Sequence, residues 1–458
     1  MRILLIEPAK APVTMGGEDV FLFEPLALEY LAAGLDSRHD VKILDQRIDD
    51  TVDETLEEYA PDIVGITGYT VHVNSVKRLA ERVKGWNPEI LTVVGGHHAT
   101  VAPADFDVPE IDLVVVGEGV QKFHRIVERA EKGDGFNEIP GVLAGDERGS
   151  MAEVAVHTVD LDELPFPDRS LTARYRHAYY SEYMQPLASI RTSKGCPFRC
   201  NFCALWKITG GKYLTRAPEK IVEELATIDE EFVFFADDES LVDAARMKQL
   251  ACLIKESGIR KRYFLYGRSD TIAKNPDLLE LWRDVGLERV FVGLEFFRDS
   301  DLERINKGST EKHNQEAVRV LQDLGIDIYA SFIIHPDFGE EDFAGFIRYC
   351  HSIDLSFASF AVLTPLPGTD FYDEVKDRLL THEPEFFDFI HTVLPTALPL
   401  EDFYRQYYRL YTRAVPFKNA LSFLLKFPLR DFPANMAKAR RWYKRLRTLH
   451  ADYAVLAR

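Results

Sequence analysis

The run Lys194-Gly195-Cys196-Pro197-Phe198-Arg199-Cys200-Asn201-Phe202-Cys203 places three thiols within eight residues, at a C-x3-C-x2-C spacing. Thiolates are soft ligands, and in a compact loop they suit an iron–sulfur cluster or zinc. Structural sites of either kind are usually closed by four protein ligands, so three thiols leave one metal position open. A [4Fe–4S] cluster with one iron free of protein can bind a small molecule there and pass it an electron. The alternative is zinc, with His177 or His313 arriving from elsewhere in the chain. Cys252 and Cys350 fall in helical patterns and read as buried core thiols. Five cysteines in 458 residues do not make a disulfide framework.

A loop of this kind has to hang from a scaffold, and the sequence supplies one. From Leu187 onward, strand signals at Leu187 to Arg191, Phe232 to Ala236, Tyr263 to Tyr266, Val290 to Leu294, Ile328 to Ile334 and Phe357 to Leu363 alternate with helical patterns. Six such units predict a parallel β/α part-barrel, whose chemistry collects at the carboxyl ends of the strands. The cysteines follow the first of them. Upstream, apolar runs at Arg2 to Ile6, Val41 to Asp45, Ile63 to Thr67, Leu91 to Gly95 and Leu113 to Gly117 also alternate with amphipathic stretches. That pattern predicts a doubly wound sheet with its ligand site at the strand ends. The fold expected is thus α/β throughout. A Rossmann-like domain occupies 1–140, a connection 141–186, the part-barrel 187–380, and a helical region 381–458.

The cysteine spacing, its place after the first of six β/α units and the aromatic Phe202 together resemble the radical S-adenosylmethionine (SAM) superfamily. The resemblance implies that Cys196, Cys200 and Cys203 hold three irons of a [4Fe–4S] cluster while SAM chelates the fourth. One-electron reduction, supplied by a flavodoxin- or ferredoxin-like partner, then cleaves SAM to a 5′-deoxyadenosyl radical that abstracts hydrogen from unactivated carbon. It also implies SAM contacts from Phe202, from Asp237 or Asp238 toward the ammonium, from Arg268 toward the carboxylate, and from Glu295 toward the ribose or amino group. The loop from Leu363 to Thr369 is similar to the family's sixth-strand loop. Ile333-Ile334-His335-Pro336-Asp337 departs from the usual fifth-strand pattern.

Val93-Val94-Gly95-Gly96-His97-His98, followed by Val116-Gly117-Glu118-Gly119, resembles the cobalamin-binding domain that precedes the barrel in one branch of that superfamily. The resemblance places Thr67, Gly68, Tyr69, Gly95, Gly96, Gly117 and Gly119 beside the corrin, where glycines let a bulky ligand approach the backbone. Asp45-Gln46-Arg47-Ile48 stands where an Asp-x-His-x-x-Gly motif would supply a cobalt ligand. Cobalamin without a histidine from this loop is therefore expected, and His72, His97 and His98 read as hydrogen-bonding loop residues. The activity implied is C-methylation. Cyclisation or rearrangement without methyl transfer is the alternative within the branch, and an iron–sulfur sensor is the distant one.

The formal net charge of −19 disfavours nucleic acid as a partner, but it is unevenly spread. From Val415 onward ten Lys and Arg face two acids, leaving −27 on the rest of the chain. The tail interleaves those cations with Leu421, Phe423, Leu424, Leu425, Phe427, Leu429, Phe432, Trp442 and Leu446. One reading is an interfacial helical segment on an anionic membrane, each cation near the surface contributing about 1 kcal/mol. The other is a helical cap paired with the acidic barrel. No apolar run reaches the roughly 20 residues that span a bilayer. A cytoplasmic protein, peripheral at most, acting on an apolar small molecule such as a terpenoid lipid or tetrapyrrole is expected.

Overall fold

The structure is a computed structural model that describes residues 1–17, 20–145 and 159–455. Strands β1 (Arg2–Glu7), β2 (Asp40–Asp45), β3 (Ile63–Thr67), β4 (Leu91–Gly95) and β5 (Leu113–Val115) run parallel in the order β2-β1-β3-β4-β5. Both faces of this sheet are buried, which is why its strands read as unbroken apolar runs. Leu4 and Ile6 enter one core and Ile3 and Leu5 the other. Helices α1 (Leu26–Ala33), α2 (Val52–Tyr59), α3 (Val73–Trp86), α4 (His97–Val101) and α5 (Val120–Lys132) follow the strands in turn.

A sixth strand, β6 (Val142–Ala144), adds antiparallel to β5. The first sheet therefore extends beyond residue 140, into the segment expected to be a connection. Three residues are too short to carry a period. Positions 146–158 of that segment lie outside the described residues. The remainder is packed rather than loose. A 3-10 helix at Arg169–Ala178 carries Arg169, which pairs with Glu224 at 2.7 Å, and Arg176, which pairs with Glu24.

The second sheet contains β7 (Leu187–Ile190), β8 (Phe232–Phe235), β9 (Arg262–Arg268), β10 (Leu287–Glu295), β11 (Asp327–Ile334) and β12 (Ala358–Val362), all parallel and adjacent in chain order. Helices α6 (Pro218–Leu225), α7 (Ala244–Ser257), α8 (Pro276–Asp284), α9 (Glu311–Asp323) and α10 (Glu340–Ser352) fall between successive strands. This is the expected six-unit part-barrel. An open barrel leaves an edge at β12 whose backbone groups need partners. Helix α11 (Leu400–Arg413) meets that need: Tyr407 and Tyr411 both donate to the Phe360 carbonyl, at 2.5 and 2.8 Å. Phe403, Tyr404 and Leu410 bury the helix in the barrel core. Two further helices, α12 (Phe417–Leu424) and α13 (Phe432–Leu446), and a 3-10 helix at Leu449–Val455 complete the described chain.

His391, fully buried, closes the C-terminal region onto the rest. Its Nδ1 lies 2.8 Å from Asp388 and its Nε2 3.0 Å from Asp452. Asp388 also accepts from the backbone of Met15, 2.7 Å away. Burial opposes protonation of the imidazole, but the two carboxylates outweigh it and raise its pKa to about 9. Stability from this network is complete below the unfolded histidine value of about 6.5 and is lost as pH rises through about 9. Thermal unfolding should therefore move to lower temperature across that window. The His391→Gln protein should start lower and stay flat, and an equal slope in the variant would exclude this histidine as the cause.

Candidate active site at the barrel mouth

The cysteine loop follows β7 and is held by carboxylates at the end of β8. Asp237, 2% exposed, accepts from Thr192 N and Ser193 N, both at 2.8 Å, and from Thr192 Oγ1 at 2.6 Å. Asp238 accepts from Gly195 N at 2.6 Å. Gly195 has φ +88°, and a Cβ there would lie 2.1 Å from the Lys212 carbonyl, so the loop admits no side chain at this point. Farther along, Asn201 N donates to Ile305 O at 3.2 Å and Trp206 Nε1 to Cys200 O at 3.1 Å. Burial pushes the Cys196 thiol up to about 11 and Cys203 up to about 12. Cluster assembly must then release protons from this loop. Phe202 is half-buried against the barrel core.

Both oxygens of Asp237 are committed to the turn before the cysteines, one to two backbone N–H groups and the other to the Thr192 hydroxyl. Arg268 is engaged just as fully. Its Nε pairs with Asp270 at 3.0 Å, its Nη2 donates to Lys307 O, and its Nη1 lies 3.9 Å from Cys200 Sγ. The guanidinium also sits 3.7 Å from the centre of the Phe198 ring. Glu295 is held at φ +60° by a bulge in β10 and pairs with Lys307 at 2.7 Å. Gly293 makes room for that pair, since a Cβ would fall 2.5 Å from Glu295 Oε1. Sequence reasoning missed Lys307, which lies in no motif, and gave the contact to Asp237 or Asp238 in the acidic run that Glu239 closes. Burial raises the Glu239 pKa to about 8, although Arg268 and Lys307 pull the other way. The hydroxyls of Ser240, Ser269 and Ser309 are buried without partners. They follow β8, β9 and β10 respectively, so unmet polar groups line the mouth where a polar ligand would sit.

The first domain faces this mouth. Glu118 pairs with Lys194, the second residue before Cys196, at 2.6 Å. Burial works against ionisation of Glu118, yet Lys194 and Arg191 hold it down to about 2. A Cβ on Gly368, in the loop after β12, would lie 2.9 Å from Val101 of α4. Between the two bodies stands Tyr69, 58% exposed at the end of β3, its ring 5.6 Å from that of His97. Arg191 and Asp238 of the barrel both act on its hydroxyl. A large aromatic left open among groups from two domains is a surface for a flat ligand.

Thr67, Gly68 and Gly96 converge: a Cβ on Gly96, at φ +101°, would lie 2.5 Å from Thr67 Oγ1. Packing of the two strand ends thus already demands that glycine. Gly95, Gly117 and Gly119 lie on the same rim, and Gly117 N donates to Thr100 at 3.0 Å. His98 is occupied by Thr70 and Asp105, and the His72 Nδ1 accepts from Tyr69 N at 3.3 Å. Burial lowers both His72 and His97 to about 4. Arg47 fills the place of the missing histidine motif and pairs with Asp45 at 2.6 Å. Zinc loses one proposed ligand, because the His313 Nδ1 accepts from Thr310 N at 3.2 Å in the cap of α9.

Below the mouth, inward residues of successive strands form one layer of rings. Phe234, Tyr266, Phe291, Tyr329 and Phe357 follow one another at centroid distances of 5.3, 4.8, 4.9 and 4.7 Å. Phe23, from the first domain, stacks on Phe234 at 4.3 Å. Tyr266 and Phe291 remain half-buried, so the layer presents apolar surface to the space above it.

A B12 binding domain model matches residues 13–127, and a Radical SAM superfamily model matches residues 190–350. The chain is 33% identical to "Hopanoid C-3 methylase" of Methylococcus capsulatus over 88% of this chain and 78% of that protein. It is 27% identical to "Anaerobic magnesium-protoporphyrin IX monomethyl ester cyclase" of Rubrivivax gelatinosus, over 87% and 74%. The structure of the cobalamin-dependent S-adenosylmethionine radical enzyme OxsB, with aqua-cobalamin and S-adenosylmethionine bound, superposes with a TM-score of 0.73. It covers 98% of this chain and 71% of that one at 15% identity.

Replacing Asp237 by alanine strips three hydrogen bonds from the turn before the cysteines and should cost about 3 kcal/mol. Iron and sulfide content after anaerobic reconstitution should fall with it, and Asp237→Asn should retain part of both. Full cluster content in the alanine protein would show that the loop does not depend on this carboxylate.

Proposed function

The chain belongs to the cobalamin-dependent branch of the radical SAM superfamily, and from that premise we propose that it methylates a carbon of an apolar small molecule held on its aromatic layer. The observation that carries this is the apposition, through Glu118 and Lys194, of the first domain's glycine-lined rim and the cysteine loop. When bound, the cluster and SAM supply a radical that opens a C–H bond, and cobalamin supplies the methyl group that replaces the hydrogen.

The chain's own residues position these groups. Cys196, Cys200 and Cys203 provide the soft donors that the cluster needs, and Arg268 lies close enough to Cys200 to offset the charge of its thiolate. Glu239 and Asp238 are the carboxylates best suited to the SAM ammonium, because both oxygens of Asp237 already accept from Thr192 and Ser193. Glu295 with Lys307, and the hydroxyls of Ser240, Ser269 and Ser309, offer the remaining polar contacts. Thr67, Gly68, Tyr69, Gly95, Gly96, Gly117 and Gly119 form the rim that receives the corrin. The rings beneath offer a substrate contact area but few hydrogen bonds, which favours apolar molecules.

The names of the two relatives, one specifying a hopanoid and the other a magnesium protoporphyrin ester, support a terpenoid lipid or tetrapyrrole as the substrate class. A flavodoxin- or ferredoxin-like protein supplies the electron, and the basic tail brings the enzyme to a membrane. The cyclase among the relatives supports a second reading, cyclisation without methyl transfer. Product mass separates the two. Reconstituted protein given SAM, reductant and a lipid extract of its source cells should yield 5′-deoxyadenosine and a product heavier by one methyl group. A product that loses hydrogen and gains no carbon would establish the cyclase. Tyr69→Ala should lose corrin while keeping its iron, and unchanged corrin retention would remove Tyr69 from the rim.

A further inference from the structure

The C-terminal helices leave an apolar row uncovered. Phe417, Leu421, Leu425, Leu429, Phe432 and Met436 are 84, 45, 71, 85, 36 and 37% exposed. They recur every three or four residues and make up six of the ten exposed large hydrophobic residues described; the other four, Tyr69, Trp86, Leu380 and Phe389, are far apart in sequence. The row is not a loosely attached tail. Phe423, on another face of α12, packs on Phe357 and Tyr183 at 5.0 and 6.1 Å, and Leu446 at the end of α13 is fully buried. The exposed apolar side chains are thus carried by two helices anchored to the barrel and by the turn between them.

Cations surround it. Lys418, Arg430, Arg440, Arg441, Lys444 and Arg447 are exposed, while the region's two acids are already paired, Asp431 with Arg430 and Asp452 with His391 and Arg445. Beside Met436 lies a groove of about 410 Å³ whose charged lining is Arg440, Lys444 and Arg447, with no acidic residue. Apolar side chains ringed by cations, with a cationic groove alongside, match an anionic phospholipid surface: acyl chains for the row and headgroup phosphates for the groove.

A second copy of the chain fits less well. Tail against tail would set ten cations against ten, and the acidic body offers no comparable apolar row among its described residues. No described helix is long and apolar enough to cross a membrane, so the contact would lie in the interface. We propose that the face formed by Phe417, Leu421, Leu425, Leu429, Phe432 and Met436 is a docking surface for anionic phospholipid membranes, with Arg440, Lys444 and Arg447 as its headgroup site. The proposal gives a location to the membrane contact in the functional reading above, but its test requires no turnover.

Full-length protein should sediment with vesicles of mixed phosphatidylglycerol and phosphatidylcholine and not with phosphatidylcholine alone. Raising salt from about 0.1 M to about 1 M should release much of it. Leu421→Ser/Leu425→Ser/Leu429→Ser should lower partitioning onto the anionic vesicles at least about tenfold. Arg440→Gln/Lys444→Gln/Arg447→Gln should lower it similarly and weaken the salt dependence, Lys418, Arg430 and Arg441 being retained. Both variants change exposed side chains and should keep the parent's unfolding temperature and reconstituted iron content, which would separate lost docking from lost folding. Equal binding to neutral and anionic vesicles, or binding unaffected by either triple variant, would overturn the proposal. So would a parent that ignores vesicles but dissociates from dimer to monomer on the leucine changes. Because binding is read without substrate, vesicle capture without methylation, or methylation without capture, tells failure of this proposal from failure of the functional one.

Discussion

Three cysteines on one eight-residue loop contribute little to holding the loop together, so its shape has to be set from outside. Here it is set by two neighbouring carboxylates at the end of β8. Asp237 fixes the backbone at Thr192 and Ser193, and Asp238 fixes Gly195. The first and second strand ends become one rigid unit, and the residues between them inherit their positions. Gly195 must be glycine because the Lys212 carbonyl fills the space of its side chain. Lys194 is left pointing across to Glu118, so the contact that orients the first domain is anchored one residue from Gly195 and two from the first cysteine. A buried carboxylate bonded to backbone N–H groups is among the stronger polar arrangements available to a protein.

Polarity is layered along the barrel axis. The mouth carries Glu239, Glu295, Lys307, Arg268 and several unpartnered hydroxyls, and the next layer is almost wholly aromatic. Beneath that, Arg289 lies fully buried, paired with Glu182 at 2.6 Å and enclosed by Tyr183, Phe264, Tyr329, Phe357 and Phe423. Burying a guanidinium is costly, and two of its nitrogens make no hydrogen bond. Ring faces offset part of that cost. The outcome is a closed floor: the cation is shielded from the space above it, which is left apolar.

Much of this was legible in the sequence, for physical reasons. Parallel strands buried on both faces announce themselves as apolar runs, and both sheets appear where those runs fall. The three-residue β6 does not, because no period can be read from so short a strand. The aromatic layer was present in part as the pairs Phe232 and Phe234 in β8 and Phe264 and Tyr266 in β9, each two residues apart, but which face would turn inward depends on barrel closure. Asp237 and Arg268 illustrate another limit. A charged residue at a strand end looks the same in sequence whether it awaits a ligand or holds a neighbouring loop, and only its partners distinguish the two. Lys307 lies twelve residues beyond Glu295 with no local signature, since the bulge and Gly293 that bring them together are tertiary features.

The tail's two sequence readings, a cap on the barrel and a membrane-facing helix, turn out not to compete, because the cations divide between them. Lys426 pairs with Asp327, Lys438 reaches Tyr180, and Arg445 donates to the Val13 carbonyl at 3.2 Å, all of them fastening the tail to the body. Lys444, Arg440 and Arg447 stay outside. The fastening also fixes orientation: Asp327 is the first residue of β11, and Phe423 rests on Tyr183, ahead of β7. The beginning of the tail is thus mounted at the amino ends of the strands, whereas the cysteine loop and the first domain stand at their carboxyl ends. A surface that engages this part of the molecule meets the floor side of the barrel and leaves the mouth, with its ion pairs and open Tyr69, on the opposite side.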